Sequence, residues 1–323
     1  MKIGNECFKY GLSLAPMAGY TDRGMRVVAR DFGAELTTTE MVSAKAVVYN
    51  DKKTFSLAAI REDEGPVLLQ LFGSEPSVVA EAAARLSAPV CEGYAAPFGI
   101  DINMGCPVNK IFNNGEGSAL MKSPSLIYDI VKAARRAISL PLTVKMRLGI
   151  KRGEMLAIEC AKAAEEAGAD AICIHGRRRE DMYGGTADKE GIRAVKEAVK
   201  IPLFANGDIV DAKSALEMLE ATGADGISVG RGAVGNPFIF AEIRAALSGE
   251  DYTPPTLEER VRVALRQLAL SVKDKGESCA VPESRKQIAL YLRSFHGSAR
   301  LRAEINRATT YTEVEKILLS ALD

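Results

Sequence analysis

The sequence predicts an α/β protein: a (β/α)8 barrel, the TIM-barrel architecture, followed by a small all-helical C-terminal domain. Three observations carry this reading. In the first 247 residues, short apolar or β-branched runs alternate with longer stretches of helical period, and the alternation yields eight strands. No G-x-G-x-x-G follows the first strand, as an open dinucleotide-binding sheet would require. Beyond a Ser-Gly-Glu-Asp-Tyr-Thr-Pro-Pro linker at 248–255, only helical patterns remain. Strict strand–helix alternation implies a parallel sheet. Eight repeats in about 250 residues match a closed barrel better than an open doubly wound sheet.

Strands are expected at 12–16, 36–40, 67–72, 99–103, 142–147, 171–175, 203–206 and 226–230. Helices fit between them at 22–32, 77–86, 124–138, 153–167, 189–199, 212–221 and 237–247. The segment between the second and third strands has the least periodicity. Ser123 before Pro124 reads as an N-cap with proline at the first helical position. Leu126, Ile127, Ile130, Val131, Ala134 and Ile138 then repeat at helical spacing. Asp211 caps the 212–221 helix, and Gly223 ends it. Gly33 and Gly168 close two other helices in the same way. After the linker, helices are expected at 257–275, 283–295, 298–305 and 312–322.

Hydrophobic residues make up 47% and charged residues 26% of the chain, which excludes a disordered, collagen-like or coiled-coil protein. Lys plus Arg equals Asp plus Glu at 42 each, so bulk charge points to no nucleic-acid or membrane partner. Cys7, Cys91, Cys106, Cys160, Cys173 and Cys279 form no C-x-x-C pair and suit neither a zinc site nor a disulfide framework. The expectation is a cytoplasmic protein without metal, treated as a monomer. The first 22 residues carry no secretory pattern, and no apolar run approaches the length of a membrane span.

Charge is instead local. Residues 256–323 hold 12 Lys and Arg against 9 Asp and Glu. Arg285, Lys286, Arg293, Arg300, Arg302 and Arg307 face one acid, Glu304, in 285–307. Lys286 and Arg293 are seven residues apart and would share one helix face. Such a cluster is either a solvated surface or a grip on a phosphate backbone.

The active site of a (β/α)8 barrel lies at the C-terminal strand ends. The polar residues there are Glu40, Gln70, Asn103, Lys145, Arg147, His175, Arg177, Asn206 and Arg231. A ring of them from different strands is better explained by a ligand site than by separate core groups. Asn206-Gly207-Asp208 follows strand seven and Gly230-Arg231-Gly232 follows strand eight, the loops where such barrels hold phosphate. Lys145, inside an apolar strand, should point into the barrel mouth, as a Schiff-base lysine or as a fixed cation beside an anionic cofactor. His175 ends strand six and is expected to touch ligand, while His296 has no role assigned. Cys160 and Cys173 read as small buried residues. Cys106 lies in a Gly/Pro-bounded loop after strand four, as a nucleophile if a base adjoins it or as a general acid if it stays a thiol. The 113–118 segment after it reads as a flexible lid.

The motifs resemble one family. Leu14 to Asp22, LAPMAGYTD, is similar to the opening motif of the tRNA-dihydrouridine synthases, and Asp101 to Pro107, DINMGCP, resembles their catalytic-cysteine motif. Val144 to Gly149, Ile174 to Arg177, Asn206 to Ile209 and Gly223 to Phe240 resemble further family blocks in the same order. The resemblance spans about 12–307. It implies an FMN-binding catalytic barrel over 1–250 and a helical RNA-binding domain over 251–323. NADPH would reduce the flavin, which would pass a hydride to C6 of a tRNA uridine while Cys106 protonates C5. Pro16, Met17, Ala18, Gln70, Lys145, His175, Asn206, Gly207, Asp208, Gly230 and Arg231 would hold FMN. Asn103 and Arg177 would lie near the target base, and Lys286 and Arg293 would hold RNA. The family's C-terminal Arg-Lys-His block reads Arg285-Lys286-Gln287 here, then Leu290-Tyr291, and the chain has no tryptophan. The RNA and the uridine therefore stay unassigned. The alternatives are a flavin barrel acting on a free pyrimidine or another small activated alkene, a Schiff-base aldolase using Lys145, and a non-catalytic RNA-binding module.

Overall fold

The computed structural model of the chain describes residues 1–293, 295 and 297–322, so His296 lies outside the described residues. Eight parallel strands form the barrel: β1 Leu12–Leu14, β2 Leu36–Thr38, β3 Val67–Phe72, β4 Gly99–Met104, β5 Leu142–Gly149, β6 Ala171–Arg178, β7 Leu203–Asn206 and β8 Gly226–Val229. Each pairs with its sequence neighbour, and β8 pairs with β1 through Ile227 and Leu12, which closes the sheet. All eight expected strands are present. β2 stops at Thr38, and a two-residue strand, Val42–Ser43, takes up the pairing with β3. The Thr39 hydroxyl bridges the gap by accepting from Gln70 N at 3.0 Å.

Around the barrel lie α1 Arg23–Asp31, α2 Ala44–Val48, α3 Pro76–Leu86, α4 Pro124–Ala137, α5 Ala157–Ala167, α6 Lys189–Ala198, α7 Ala212–Thr222 and α8 Ile239–Ser248. The segment of least periodicity holds only α2, another short helix (Lys52–Leu57) and a 3-10 turn (Glu62–Glu64), too short to show a face. Both expected N-caps form. Ser123 Oγ accepts from Leu126 N at 3.3 Å, and Asp211 Oδ1 accepts from Ser214 N at 2.7 Å. Each such cap contributes about 1 kcal/mol. α5 starts at Ala157 rather than 153, because Glu154 folds back and accepts from Ile150 N and Lys151 N.

Strand alternation divides the side chains. Ile100, Ile102, Val144, Met146, Ile172, Ile174 and Ile227 face the helices and are fully buried. The interior grows more polar from bottom to top. Leu36, Leu68, Ala171 and Phe204 close the bottom against Ile3 and Phe8 of an N-terminal hairpin, Lys2–Ile3 and Glu6–Cys7. Above them Ser13, Asp101, Thr143, Cys173 and Ser228 surround a cavity of about 20 Å³, room for one water. The top layer holds Gln70, Asn103, Lys145, His175 and Asn206.

The C-terminal helices are α9 Leu257–Lys275, α10 Glu277–Ile288, α11 Ser298–Ile305 and α12 Tyr311–Leu319. The second starts six residues before the expected 283, running through the exposed Pro282 at the loss of one backbone bond. It ends at Ile288 and a 3-10 turn, Ala289–Leu292, follows, so Lys286 and Arg293 do not share one continuous helix. Val28 of α1 and Phe238 join the core of this helical layer. A buried chain also crosses to the barrel. Tyr291 Oη donates to Gln267 Oε1 at 2.6 Å, Gln267 Nε2 to Gln287 Oε1 at 2.8 Å, and Gln287 Nε2 to Tyr20 O at 3.2 Å. Among the described residues, no helix is long and apolar enough to cross a membrane.

One ion pair near the mouth is fully enclosed. Arg26 donates to Glu64 Oε2 at 2.6 Å and to Thr21 O at 2.6 Å, with the Arg26 side chain 4% and the Glu64 side chain 0% exposed. Glu64→Ala strands the buried guanidinium and is expected to cost about 3–5 kcal/mol of stability, read from urea unfolding. A change under 1 kcal/mol would mean that water reaches Arg26.

Candidate functional site

The strand ends open into one cavity of about 1040 Å³, at the upper end of ligand-pocket sizes and roomy enough for two ring systems. Strand order alone brings the sequence-predicted residues together here. Pro16, Met17 and Ala18 come from the β1 end, Gln70 from β3, Asn103 and Cys106 from β4 and its loop, and Lys145 from β5. His175 ends β6, Asn206, Gly207 and Asp208 follow β7, and Gly230 and Arg231 follow β8. Arg293 reaches the same cavity from the C-terminal region.

Lys145 Nζ donates to Asn206 Oδ1 at 3.0 Å, and Asn206 Nδ2 donates to Ser228 O at 2.6 Å. The ammonium is thus fixed from β7 and β8 rather than paired with a carboxylate. His175 is 8% exposed. Burial, with Lys145, Arg147, Arg177 and Arg231 nearby, holds its pKa well below the ordinary value. The imidazole is neutral at pH 7, and Arg177 Nη1 donates to its Nε2 at 3.4 Å.

Gly207 and Asp208 make the turn after β7 with φ of +132° and +53°. A Cβ at Gly207 would lie 2.7 Å from the Ala187 Cβ, so only glycine fits. Asp208 is held in the left-handed region by Arg177 Nη2, 2.8 Å from both its oxygens, and by Ala187 N at 2.7 Å. At Gly232, a Cβ would lie 2.2 Å from Ile209 O, so the β8 loop packs directly on the β7 loop.

Cys106 is half-buried. Burial pushes its thiol pKa up, against smaller opposing effects of the Val108 backbone and Arg147. Its backbone N donates to Asn103 Oδ1 at 2.9 Å, and its carbonyl accepts from Ser118 N at 3.1 Å and Ser118 Oγ at 2.9 Å. The 113–118 segment is therefore not the expected lid. Glu116, Gly117 and Ser118 are buried and form a wall that fixes the cysteine loop. Arg147 ties this loop to the next, donating to Gly105 O at 3.0 Å and to Arg178 O and Met182 O at 2.9 and 2.8 Å. Burial lowers its pKa to about 10, so it remains charged at pH 7.

Two expected site residues stand elsewhere. Arg177 does not line the cavity. Its guanidinium is committed to Asp208, Gly184 O and Gly185 O, and it supports the wall from behind. Lys286 sits at the rim, its Nζ 4.0 Å from the centre of the Tyr20 ring, which does line the cavity. Glu40, another strand-end residue, turns away to accept from Gly19 N, and burial pushes its carboxyl pKa up. Cys160 is buried and pushed up to about 12 by burial, in keeping with a structural role. Met41 and Tyr183 line the cavity without having been singled out by sequence, and so do Tyr20 and Leu290, quoted only as parts of motif blocks and given no site role. Tyr183 is 53% exposed, with Arg231 5.0 Å from its ring centre. Its signal was an aromatic before two glycines in a strand-end loop.

The lining holds Lys145, Arg147, Arg231, Arg260 and Arg293 against the single carboxylate of Asp208. With the two glycine-bearing loops, that excess suits an anionic ligand carrying a phosphate.

The family described as Dihydrouridine synthase (Dus) matches residues 13–323. A probable tRNA-dihydrouridine synthase of Rickettsia conorii is 41% identical over 308 residues, covering 95% of this chain and 91% of that protein. The tRNA-dihydrouridine synthase B of Pseudomonas aeruginosa is 40% identical over 312 residues, covering 95% and 91%. Among solved structures, morphinone reductase aligns with a TM-score of 0.54 at 12% identity, covering 80% of this chain and 91% of that one. A variant of NCR from Zymomonas mobilis aligns with a TM-score of 0.52 at 17% identity, covering 80% and 93%. These two likenesses show the barrel fold alone.

Proposed function

The chain belongs to the dihydrouridine synthase family, and from that premise we propose that it reduces specific uridines of tRNA to 5,6-dihydrouridine, with FMN bound in the barrel mouth and NADPH as reductant. The observation that supports this most is one cavity joining a half-buried thiol, its pKa pushed up by burial, to a cation-rich, phosphate-suited cradle.

FMN fits the residues present. The β7 and β8 loops, with Gly207, Gly230 and Arg231, would take the phosphate, and Lys145 would stand as a fixed cation by the ring system. Pro16, Met17, Ala18, Gln70, His175, Asn206 and Asp208 would complete the cradle. When bound and reduced by NADPH, the flavin would supply the hydride for C6 of the uracil. Cys106 supplies the proton for C5: its S–H bond breaks, a C5–H bond forms, and the thiolate regains a proton from solvent. His175, neutral and buried, serves as a hydrogen-bonding group and not as a charge. Asn103 would face the base, while Arg177 would act through Asp208 and not on the base itself.

A stacked uridine cannot enter a barrel mouth, so the nucleotide must be flipped out. The helical region over 251–323 is proposed as the RNA-binding domain, with Lys286 and Arg293 at the rim as backbone contacts. With tRNA as substrate, the protein would work in the cytoplasm.

The test is nucleoside mass spectrometry of unmodified tRNA after incubation with the protein, FMN and NADPH, with the modified position mapped. Dihydrouridine at one position is expected. None, from a flavin-loaded protein that oxidises NADPH, would overturn the tRNA assignment and point to a free pyrimidine or another small activated alkene.

A further inference from the structure

A polar chain runs inside the barrel from a buried carboxylate to the Cys106 loop. Asp101, 3% exposed, accepts from Gln70 Nε2 at 2.7 Å and from Thr143 Oγ1 at 2.6 Å. Gln70 Oε1 accepts from Asn103 Nδ2 at 2.9 Å. Asn103 Oδ1 accepts from the backbone N of Gly105 at 3.2 Å and of Cys106 at 2.9 Å. Gln70 is 1% and Asn103 8% exposed, so neither amide has bulk water as an alternative partner.

The direction of this chain is fixed at both ends. Backbone N–H groups only donate, so Asn103 must present its oxygen to them and its nitrogen to Gln70. Gln70 must then present its oxygen to Asn103 and its nitrogen to whatever lies beyond. That group must accept, as the Asp101 carboxylate oxygen does. With these bonds made, each amide keeps one N–H to donate, Asn103 Oδ1 has both of its acceptor sites engaged, and Gln70 Oε1 keeps one.

We infer, on the reading of the site given above, that Asp101 is a positioning residue. Through Gln70 and Asn103 it holds the Cys106 loop in place and leaves each amide an N–H to donate, Gln70 toward the flavin cradle and Asn103 toward the base, the latter matched to a uracil carbonyl and mismatched to the amino group of cytosine. The balance of the site agrees. Lys145, whose charge acts on Asp101, bonds to Asn206 instead, and the carboxylate takes its hydrogen bonds from Gln70 and Thr143.

A reversal of one link tests this. Gln70→Glu sets carboxylate against carboxylate and breaks the chain. Adding Asp101→Asn restores it in reverse at that link, because the new amide donates to the new carboxylate and still accepts from Thr143. Asp101→Asn alone keeps the bond from Gln70 but turns its amide on the Thr143 hydroxyl, a smaller fault. Two readouts are taken at pH 8: peptide-resolved iodoacetamide alkylation of Cys106 in the protein as purified, and single-turnover dihydrouridine formation on unmodified tRNA. Gln70→Glu is expected to change the alkylation rate by about tenfold and to slow dihydrouridine formation by about 10²-fold. Asp101→Asn should lose about three- to tenfold. The double variant should return to the level of Asp101→Asn in alkylation, the readout of the loop, while its dihydrouridine formation stays low because a glutamate at 70 has no N–H to donate to the ligand. If Gln70→Glu folds poorly, its Tm replaces alkylation, with the same recovery expected. A double variant no closer to the native protein than Gln70→Glu in that readout would overturn the inference. A native protein that makes no dihydrouridine would overturn the reading of the site instead, because the alkylation arm needs neither flavin nor tRNA.

Discussion

The Cys106→Ala protein is expected to keep its flavin and to be reduced by NADPH at the native rate, yet to form dihydrouridine about 10²–10⁴-fold more slowly. The size of the loss follows from the step removed. Without a proton for C5, hydride arrival at C6 must be completed by a water that the buried loop holds in no fixed place. The two half-reactions separate in stopped-flow absorbance: the first, with NADPH alone, should be unchanged, and the second, with tRNA, should fall. Unchanged turnover would remove Cys106 from the mechanism. The pH dependence distinguishes the acid from a nucleophile. Burial raises the Cys106 pKa, so the proton-bearing thiol predominates through neutral pH and is lost as pH rises through that raised value. Reduction of tRNA should therefore be flat from about pH 6 to 8 and fall only above the ordinary thiol pKa of about 8.5. A thiolate nucleophile would give the opposite slope. His175, whose pKa lies well below its ordinary value, should add no step in the same window.

The barrel was legible because its signals are local and repeated. Eight apolar runs, caps such as Ser123 and Asp211, and helix-ending glycines such as Gly168 and Gly223 each dictate structure within a few residues. The strand-end site was legible for the same reason: fold geometry assigns one face to every strand end, so Lys145, His175, Asn206 and Arg231 had to converge. Long-range polar commitments were not legible. Nothing in the sequence around Arg177 shows that Asp208 and two glycine carbonyls draw it behind the cavity wall. Nor do the two glycines and two asparagines at 113–118, typical of a mobile loop, reveal that Ser118 is buried and bonded to the Cys106 carbonyl. At Pro282 the difference runs the other way. The expected helix begins after it, at 283, but α10 runs through it with the proline exposed and Ala280, Val281 and Ile288 buried. The Gln287 departure gains a physical context: its buried amide is an internal link between Gln267 and the Tyr20 carbonyl.

Lys286→Glu combined with Arg293→Glu is expected to weaken tRNA binding about 10- to 100-fold at low salt while leaving flavin content and reduction by NADPH unchanged. The prediction separates these two cations from the rest of the basic stretch. Arg285 spends its Nε on Ala308 O at 2.7 Å, and Arg300 pairs with Glu304 at 3.3 Å. Lys286 and Arg293 are exposed at the cavity rim, one over Tyr20 and the other in the lining, with the 3-10 turn at Ala289–Leu292 bringing them to the same opening. A phosphate contact is sequence-independent and releases counterions, so the signature lies in the salt dependence as well as the affinity. Losing two contacts should make the plot of log K against log salt shallower by about 1.5. Lys286→Gln with Arg293→Gln, which removes charge without adding repulsion, should give the same change in slope with a smaller loss of affinity. Equal affinity and equal slope in both double variants would return the cluster to a solvated surface and move the RNA grip elsewhere on the chain.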